Sequence, residues 1–282
     1  MTKTTLQGEL EYLAISNSVA DAKIALQGAH LFHFQVKGKT PLLWLSDTAV
    51  FKHGKPIRGG IPICWPWFGA HPSDAKLPNH GFARTFLWKH IDTVEINDTE
   101  TKVRLRLEST KESLRLWPYH FELTLEIFIG TTLRVSLMTK NLGKKEFHLT
   151  NALHTYIRVQ EISKTKIEGL ENKPYYNKVD NSFNNTQTGK LDFSQEVDRI
   201  YQEIRSPLQV ESGNSIVGVK TEGSKTVVIW NPGETLANKM TDLSGHQTML
   251  CVESANALED APSIQKNESH CLSTAISQIN RV

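Results

Sequence analysis

Two short stretches concentrate the side chains able to do chemistry. The first reads Arg58-Gly59-Gly60-Ile61-Pro62-Ile63-Cys64-Trp65-Pro66-Trp67-Phe68-Gly69. Paired glycines after an arginine let the backbone turn freely and leave room beside the guanidinium. The aromatics and prolines that follow make a stiff apolar wall, the kind of surface on which the C–H face of a sugar ring lies. The same rings serve equally well as the core of a buried turn. A guanidinium beside such a wall needs an anionic partner, either a protein carboxylate or a ligand. The second stretch, Pro78-Asn79-His80-Gly81-Phe82-Ala83-Arg84, gathers an amide, an imidazole and another arginine around a glycine turn. Together Arg58 and Arg84 suit a phosphate monoester with close to two negative charges. An ordinary ion pair with a nearby Asp or Glu is the competing account for each.

Three further ionisable residues stand in apolar surroundings. His154 lies within Asn151-Ala152-Leu153-His154-Thr155-Tyr156, and Glu253 ends the run Met249-Leu250-Cys251-Val252. A buried carboxylate is costly unless it is paired or functional. A lone histidine in such a strand is more often a satisfied core residue than a catalyst. Asp198, before Arg199-Ile200-Tyr201, is the third. The histidines show no HExxH or related spacing, so no metal site is expected. Neither GxGxxG, a phosphate-binding P-loop nor GxSxG occurs, which removes nucleotide-cofactor and serine-hydrolase readings, and no cofactor is expected. Cys64, Cys251 and Cys271 make an odd number without CxxC spacing. They read as small buried hydrophobes in a reducing cytosol, neither a disulfide framework nor a zinc site.

The elements that must hold these groups are strands. Val103, Leu105 and Leu107 alternate with Arg104, Arg106 and Glu108, and Leu123, Leu125, Ile127 and Ile129 alternate likewise. After Gly130-Thr131-Thr132 the pattern resumes at Leu133, Val135 and Leu137, which predicts a hairpin. Residues 147–151, 156–160, 217–219, 227–230 and 249–253 read as further short strands. No helical periodicity extends over twelve or more residues. The composition predicts an all-β sandwich or barrel forming a single domain over 1–282, with 171–192 as a long polar surface loop. Of 282 residues, 39% are hydrophobic and 22% charged, enough apolar material for a sizeable core. The 32 basic and 30 acidic side chains leave a net charge of +2, so no field draws in a nucleic acid or an acidic membrane. The polar start lacks a signal peptide, and the 61–70 segment is too short to span a bilayer, which points to the cytoplasm.

The combination of Arg58-Gly59-Gly60-Ile61-Pro62, Cys64-Trp65-Pro66-Trp67-Phe68-Gly69 and His80-Gly81-Phe82-Ala83-Arg84 resembles the hexose-6-phosphate mutarotases, a branch of the aldose 1-epimerase family. The likeness continues in order through Leu153-His154-Thr155-Tyr156, Asp198-Arg199-Ile200-Tyr201, Trp230-Asn231-Pro232 and Cys251-Val252-Glu253. It implies a galactose-mutarotase-like supersandwich, mostly antiparallel with few short helices. It also implies His154 as general acid, Glu253 as general base, and Arg58, Arg84 and Asp198 as substrate-binding residues. Asn79 replaces a family glutamine with the same donor and acceptor on a shorter arm. His80 would hydrogen-bond the ring oxygen or the reacting hydroxyl. Asn177-Lys178 stands where relatives often carry Asp-Lys, and Ser254-Ala255 where they often carry Pro-Gly. The implied reaction exchanges the anomers of a hexose 6-phosphate by acid/base ring opening, and a small-molecule hexose phosphate is the only partner implied, with a monomer favoured. An epimerase of unphosphorylated aldoses and a non-catalytic sugar-phosphate sensor are the alternatives.

Overall fold

Alternation of apolar and polar side chains decides the architecture. Val103, Leu105 and Leu107 are buried while Arg104 and Arg106 between them reach solvent, as a strand with one wet face requires. In the computed structural model, which describes residues 2–279, this strand is part of an eight-stranded antiparallel sheet. Its order is Lys166–Glu168, Leu208–Ser212, Ser215–Glu222, Ser269–Ile279, Thr132–Asn141, Phe121–Ile129, Glu100–Glu108 and Lys89–Asn97. The predicted hairpin about Gly130 joins two of these strands, with Ile129 opposite Leu133. Of the expected domain, residue 1 and residues 280–282 lie outside the described residues.

A second eight-stranded sheet packs against the first and carries the chemistry. Ser182–Thr186, Pro174–Asn177, Val197–Tyr201, Thr226–Asn231, Met249–Asn256, Asn151–Leu153 and Ile63–Cys64 follow one another across it, and Tyr156–Arg158 also pairs with Met249–Asn256. Met249–Asn256 is buried along its whole length. Leu250 and Val252 enter the core between the sheets, a connected cluster that runs from Leu13 to Ile276. Cys251 and Ala255 pack in separate small clusters on the opposite face. Period-two geometry puts Glu253 on that second face as well. Only two short α-helices, Lys111–Leu116 and Gly233–Ala237, occur among the described residues. No helix of these residues is long and apolar enough to cross a membrane.

Two expectations need correction. The polar segment 171–192 is not a structureless loop, because Pro174–Asn177 and Ser182–Thr186 form a hairpin at the edge of the second sheet. The large apolar side chains of its two strands are Tyr175, Tyr176 and Phe183 among Asn, so the alternating aliphatic pattern of a strand is missing. Cys271 is not buried; it points outward from Ser269–Ile279, whereas Cys64 and Cys251 are buried.

A separate four-stranded sheet, Thr2–Gln7, Leu10–Ser16, Ala20–Ala25 and His30–Val36, braces the first glycine-rich turn. His30 Nε2 donates to the Gly59 carbonyl at 2.7 Å, and a Cβ on Gly60 would meet the Leu31 carbonyl at 2.3 Å, so only glycine fits there. Burial lowers the His30 pKa from 6.5 to about 4; the Gly59 contact works against this shift and the Arg84 charge adds to it. The native ring therefore stays neutral while the unfolded one takes a proton. Stability is accordingly lost as pH falls from 6.5 towards 4, by up to about 3 kcal/mol for this group. His30→Gln keeps a donor for Gly59 and removes that slope. Denaturant titrations at pH 7 and pH 4.5 should show a smaller stability difference in the variant, and an unchanged difference would refute the assignment.

Candidate active site

Strand register, not loop folding, creates the central contact. Leu153 pairs with Ser254 and Tyr156 with Cys251. The same antiparallel register sets His154 opposite Glu253, where side chains share a face. The His154 N–H donates to the Pro62 carbonyl at 3.0 Å, and Thr155 accepts from the Val252 N–H at 3.0 Å, so the chain stays beside its neighbour through the break between strands. His154 Nε2 lies 3.3 Å from Glu253 Oε1. Glu253 is 1% exposed and His154 8%. Glu253 Oε2 and His154 Nδ1, both buried, have no hydrogen-bond partner among the described residues.

Each group's surroundings disfavour its charged form. Burial raises the Glu253 carboxyl well above the ordinary value; the Asp198 charge adds to this and Lys178 opposes it. Burial lowers His154 well below its ordinary value, with His80, Arg58 and Arg84 acting in the same direction. The protein's own groups thus favour carboxylic acid beside imidazole over the ion pair. One proton is held between two atoms within reach of each other.

The remaining expected residues converge on this pair. His80 has a positive φ of 66°, and its ring lies 5.8 Å from that of His154. Its Nδ1 accepts from the Gly69 N–H at 3.2 Å, which leaves the neutral ring's proton on Nε2. Burial lowers its pKa to about 3, aided by Arg84, Lys178 and Arg58, so it is a neutral donor. The turn before it closes tightly: Gly81 has φ 69°, and a Cβ there would sit 1.9 Å from the Trp65 carbonyl. Arg84 Nη2 donates to the Asn79 carbonyl at 2.7 Å, and Asn79 is exposed at the rim. Arg84 makes no ion pair among the described residues. Asp198 Oδ2 binds Lys178 Nζ at 2.7 Å, and its buried Oδ1 has no hydrogen-bond partner among the described residues.

Arg58 has found a protein carboxylate. Its Nε and Nη2 donate to the two oxygens of Asp242 at 3.2 and 3.3 Å, and Nη1 donates to the Tyr156 hydroxyl at 3.1 Å. Tyr156 stacks on His154, ring centroids 4.8 Å apart at 9°, so Arg58 braces the acid through one aromatic ring. Sequence reasoning missed Asp242, which lies in a polar stretch with no local pattern. It noted Lys178 only as the lysine that relatives also carry, beside Asn177 in place of their aspartate. Pairing of Asn177 with Arg199 brings that neighbourhood beside Asp198. The aromatic wall divides between both accounts offered for it. Trp65 is core, packed edge-on against Phe82 and Trp117. Trp67 and Phe68 line a groove of about 470 Å³ that reaches Tyr176 and Lys178. His154 and Glu253 are not among its walls; Lys178, bound to Asp198, links the two regions.

Comparison with known proteins supplies the context for this arrangement. The family described as aldose 1-epimerase matches residues 11–277. A protein of Escherichia coli (strain K12), provisionally named glucose-6-phosphate 1-epimerase, is 35% identical over 267 residues, 93% of this chain and 88% of that one. Among solved structures, the YeaD protein from Salmonella typhimurium, provisionally a mutarotase, superposes with a TM-score of 0.92 at 30% identity. That match covers 99% of this chain and 94% of the other. A galactose mutarotase-like protein from Clostridium acetobutylicum shares the fold at 15% identity, with a TM-score of 0.75 and coverage of 100% and 99%.

Proposed function

This chain belongs to the aldose 1-epimerase family, and on that premise we propose that it interconverts the α and β anomers of a hexose 6-phosphate such as glucose 6-phosphate. The observation that carries this reading is the buried 3.3 Å contact between His154 and Glu253, each with one unpartnered atom, in a field of nearby cations.

The reaction needs one proton removed and one supplied. Glu253 takes the proton of the C1 hydroxyl while His154 gives one to the ring oxygen, and the bond from C1 to that oxygen breaks. The open chain carries an aldehyde at C1 and a hydroxyl at C5. Rotation about C1–C2 presents the other face, and closure returns both protons along the same routes. At the open-chain stage Glu253 is protonated and His154 is neutral. That is the state the surroundings favour, so the pocket is electrostatically matched to the intermediate.

The ring forms require the opposite state, carboxylate and imidazolium. A phosphate dianion at Arg58 and Arg84 offsets two of the charges that depress His154, and so raises its pKa when the phosphorylated sugar binds. Arg84, with no carboxylate of its own, is the stronger candidate for that dianion. His80 donates from Nε2 to a reacting oxygen. Asp198 Oδ1 accepts a sugar hydroxyl, and Asn79 stands at the rim.

The whole of 1–282 is read as one domain, acting as a monomer in the cytoplasm without cofactor or nucleic acid. Three free cysteines are consistent with a reducing compartment. Exchange spectroscopy by NMR on glucose 6-phosphate and on glucose tests the proposal. The expected result is rapid anomer exchange of the phosphorylated sugar and much slower exchange of the free one. Equal rates would point to an epimerase of unphosphorylated aldoses, and binding without acceleration to a sensor.

A further inference from the structure

A third donor atom sits beside the acid and base, and the proposed reaction does not use it. Cys251 lies two residues before Glu253 on one strand, so both side chains leave the sheet on the same face. The Cys251 sulfur, a His154 ring nitrogen and a Glu253 carboxylate oxygen all lie within 4.8 Å of one another, and all three residues are buried. Glu253 Oε2 and His154 Nδ1 have no hydrogen-bond partner among the described residues, so neither side chain is saturated. Thiolate, imidazole and carboxylate together are the donor set of borderline-soft divalent ions; magnesium and calcium prefer an all-oxygen shell. Tetrahedral zinc with bonds of about 2.0–2.3 Å sets its ligand atoms roughly 3.3–3.8 Å apart. Tetrahedral ligation therefore requires the side chains to draw these atoms together by up to roughly 1 Å. Spacing rules applied along the sequence pass over this set because it is assembled across two strands.

We propose that His154, Cys251 and Glu253 form a three-ligand site for zinc or a similar thiophilic divalent ion, and that the ion and the sugar exclude one another. On binding, the thiol proton and the proton held by the Glu253–His154 pair both leave to solvent, and the sulfur, imidazole and carboxylate lone pairs bind the ion, with a fourth position left open. Those imidazole and carboxylate lone pairs are the ones the anomeric centre needs. The exclusion clause rests on the roles proposed above for His154 and Glu253. The binding clause does not.

The full chain is titrated with cobalt(II), as a spectroscopic probe, and with zinc alone. One equivalent of cobalt should produce a thiolate-to-metal charge-transfer band and intense tetrahedral d–d bands, which zinc then abolishes. Cys251→Ala should remove the charge-transfer band and weaken zinc binding by more than the roughly 10–100-fold that loss of a mere outer-shell partner costs. Cys271→Ser should leave both unchanged. Anomer exchange in Cys251→Ala should match the parent but resist zinc, and glucose 6-phosphate should compete with zinc in the parent. X-ray absorption on the parent zinc complex, expected to show one sulfur and two nitrogen or oxygen protein ligands, answers the question even if the variant does not fold. Absence of the charge-transfer band, its survival in Cys251→Ala, or a zinc shell without sulfur overturns the site. Zinc bound at Cys251 with undiminished exchange overturns the exclusion. A protein that binds zinc at Cys251 yet never accelerates exchange would keep the site and refute the proposed function instead.

Discussion

Glu253→Gln should lower kcat for anomer exchange by about 10²–10⁴-fold, the usual contribution of a positioned general base. Glutamine matches glutamate in shape and resembles the protonated carboxyl that burial and the Asp198 charge favour here. The fold should therefore tolerate it, and the thermal midpoint should hold or rise. Affinity for glucose 6-phosphate should stay within about tenfold, because a neutral hydrogen bond nets only about 0.5–1.5 kcal/mol. Exchange rates by NMR, with binding followed separately by titration calorimetry, distinguish lost chemistry from lost substrate. A variant that turns over at the parent rate removes Glu253 from the reaction, whatever its distance from His154.

Arg84→Ala is expected to raise KM for glucose 6-phosphate about 10- to 150-fold, corresponding to the roughly 1.5–3 kcal/mol of one charge-assisted contact. Exchange of free glucose should not fall, because losing this charge only relieves the depression of His154. The reasoning turns on which guanidinium lacks a counter-charge. Arg58 is held by both oxygens of Asp242 and by the Tyr156 hydroxyl. Among the described residues Arg84 has no carboxylate partner and donates to the Asn79 carbonyl. Arg58→Ala should accordingly differ in kind: it leaves the half-buried Asp242 unpaired and Tyr156 unbraced, so the thermal midpoint falls along with phosphate affinity. Kinetics on both sugars and a melting curve for each variant separate the two behaviours. If Arg84→Ala impairs glucose and glucose 6-phosphate equally, that residue does not read the phosphate.

How much of this was legible in the chain depended on how locally each feature is encoded. The hairpin about Gly130 and the strands beside it were readable because aliphatic residues alternate with charges there. The amino-terminal sheet was not, since its inward positions are partly Ala20, Ala22 and Ala25, too small to mark a period. The hairpin at 174–186 was hidden by its Asn and Lys content. Among the site residues, Arg58, His80 and Arg84 stood out through glycine-rich motifs, and the structure brings His80 and Arg84 into the surroundings of His154. The partners of Arg58 and Asp198 were out of reach. Asp242 and Lys178 are conspicuous only once distant parts of the chain are brought together, and a contact across 184 residues leaves no local trace.

The His154–Glu253 contact follows from antiparallel register, with consequences for how this scaffold can change. Separation between facing residues in neighbouring strands is a constant of the peptide group, about 4.5–5.5 Å between Cβ atoms. The gap between proton donor and acceptor is therefore inherited from the hydrogen-bond ladder and is insulated from events in the connecting segments. Arg84, Asn79 and Asp242 stand outside the strands, where insertions and substitutions are absorbed cheaply. Preference for one sugar over another is free to drift at the periphery, while the step that opens the ring keeps its dimensions.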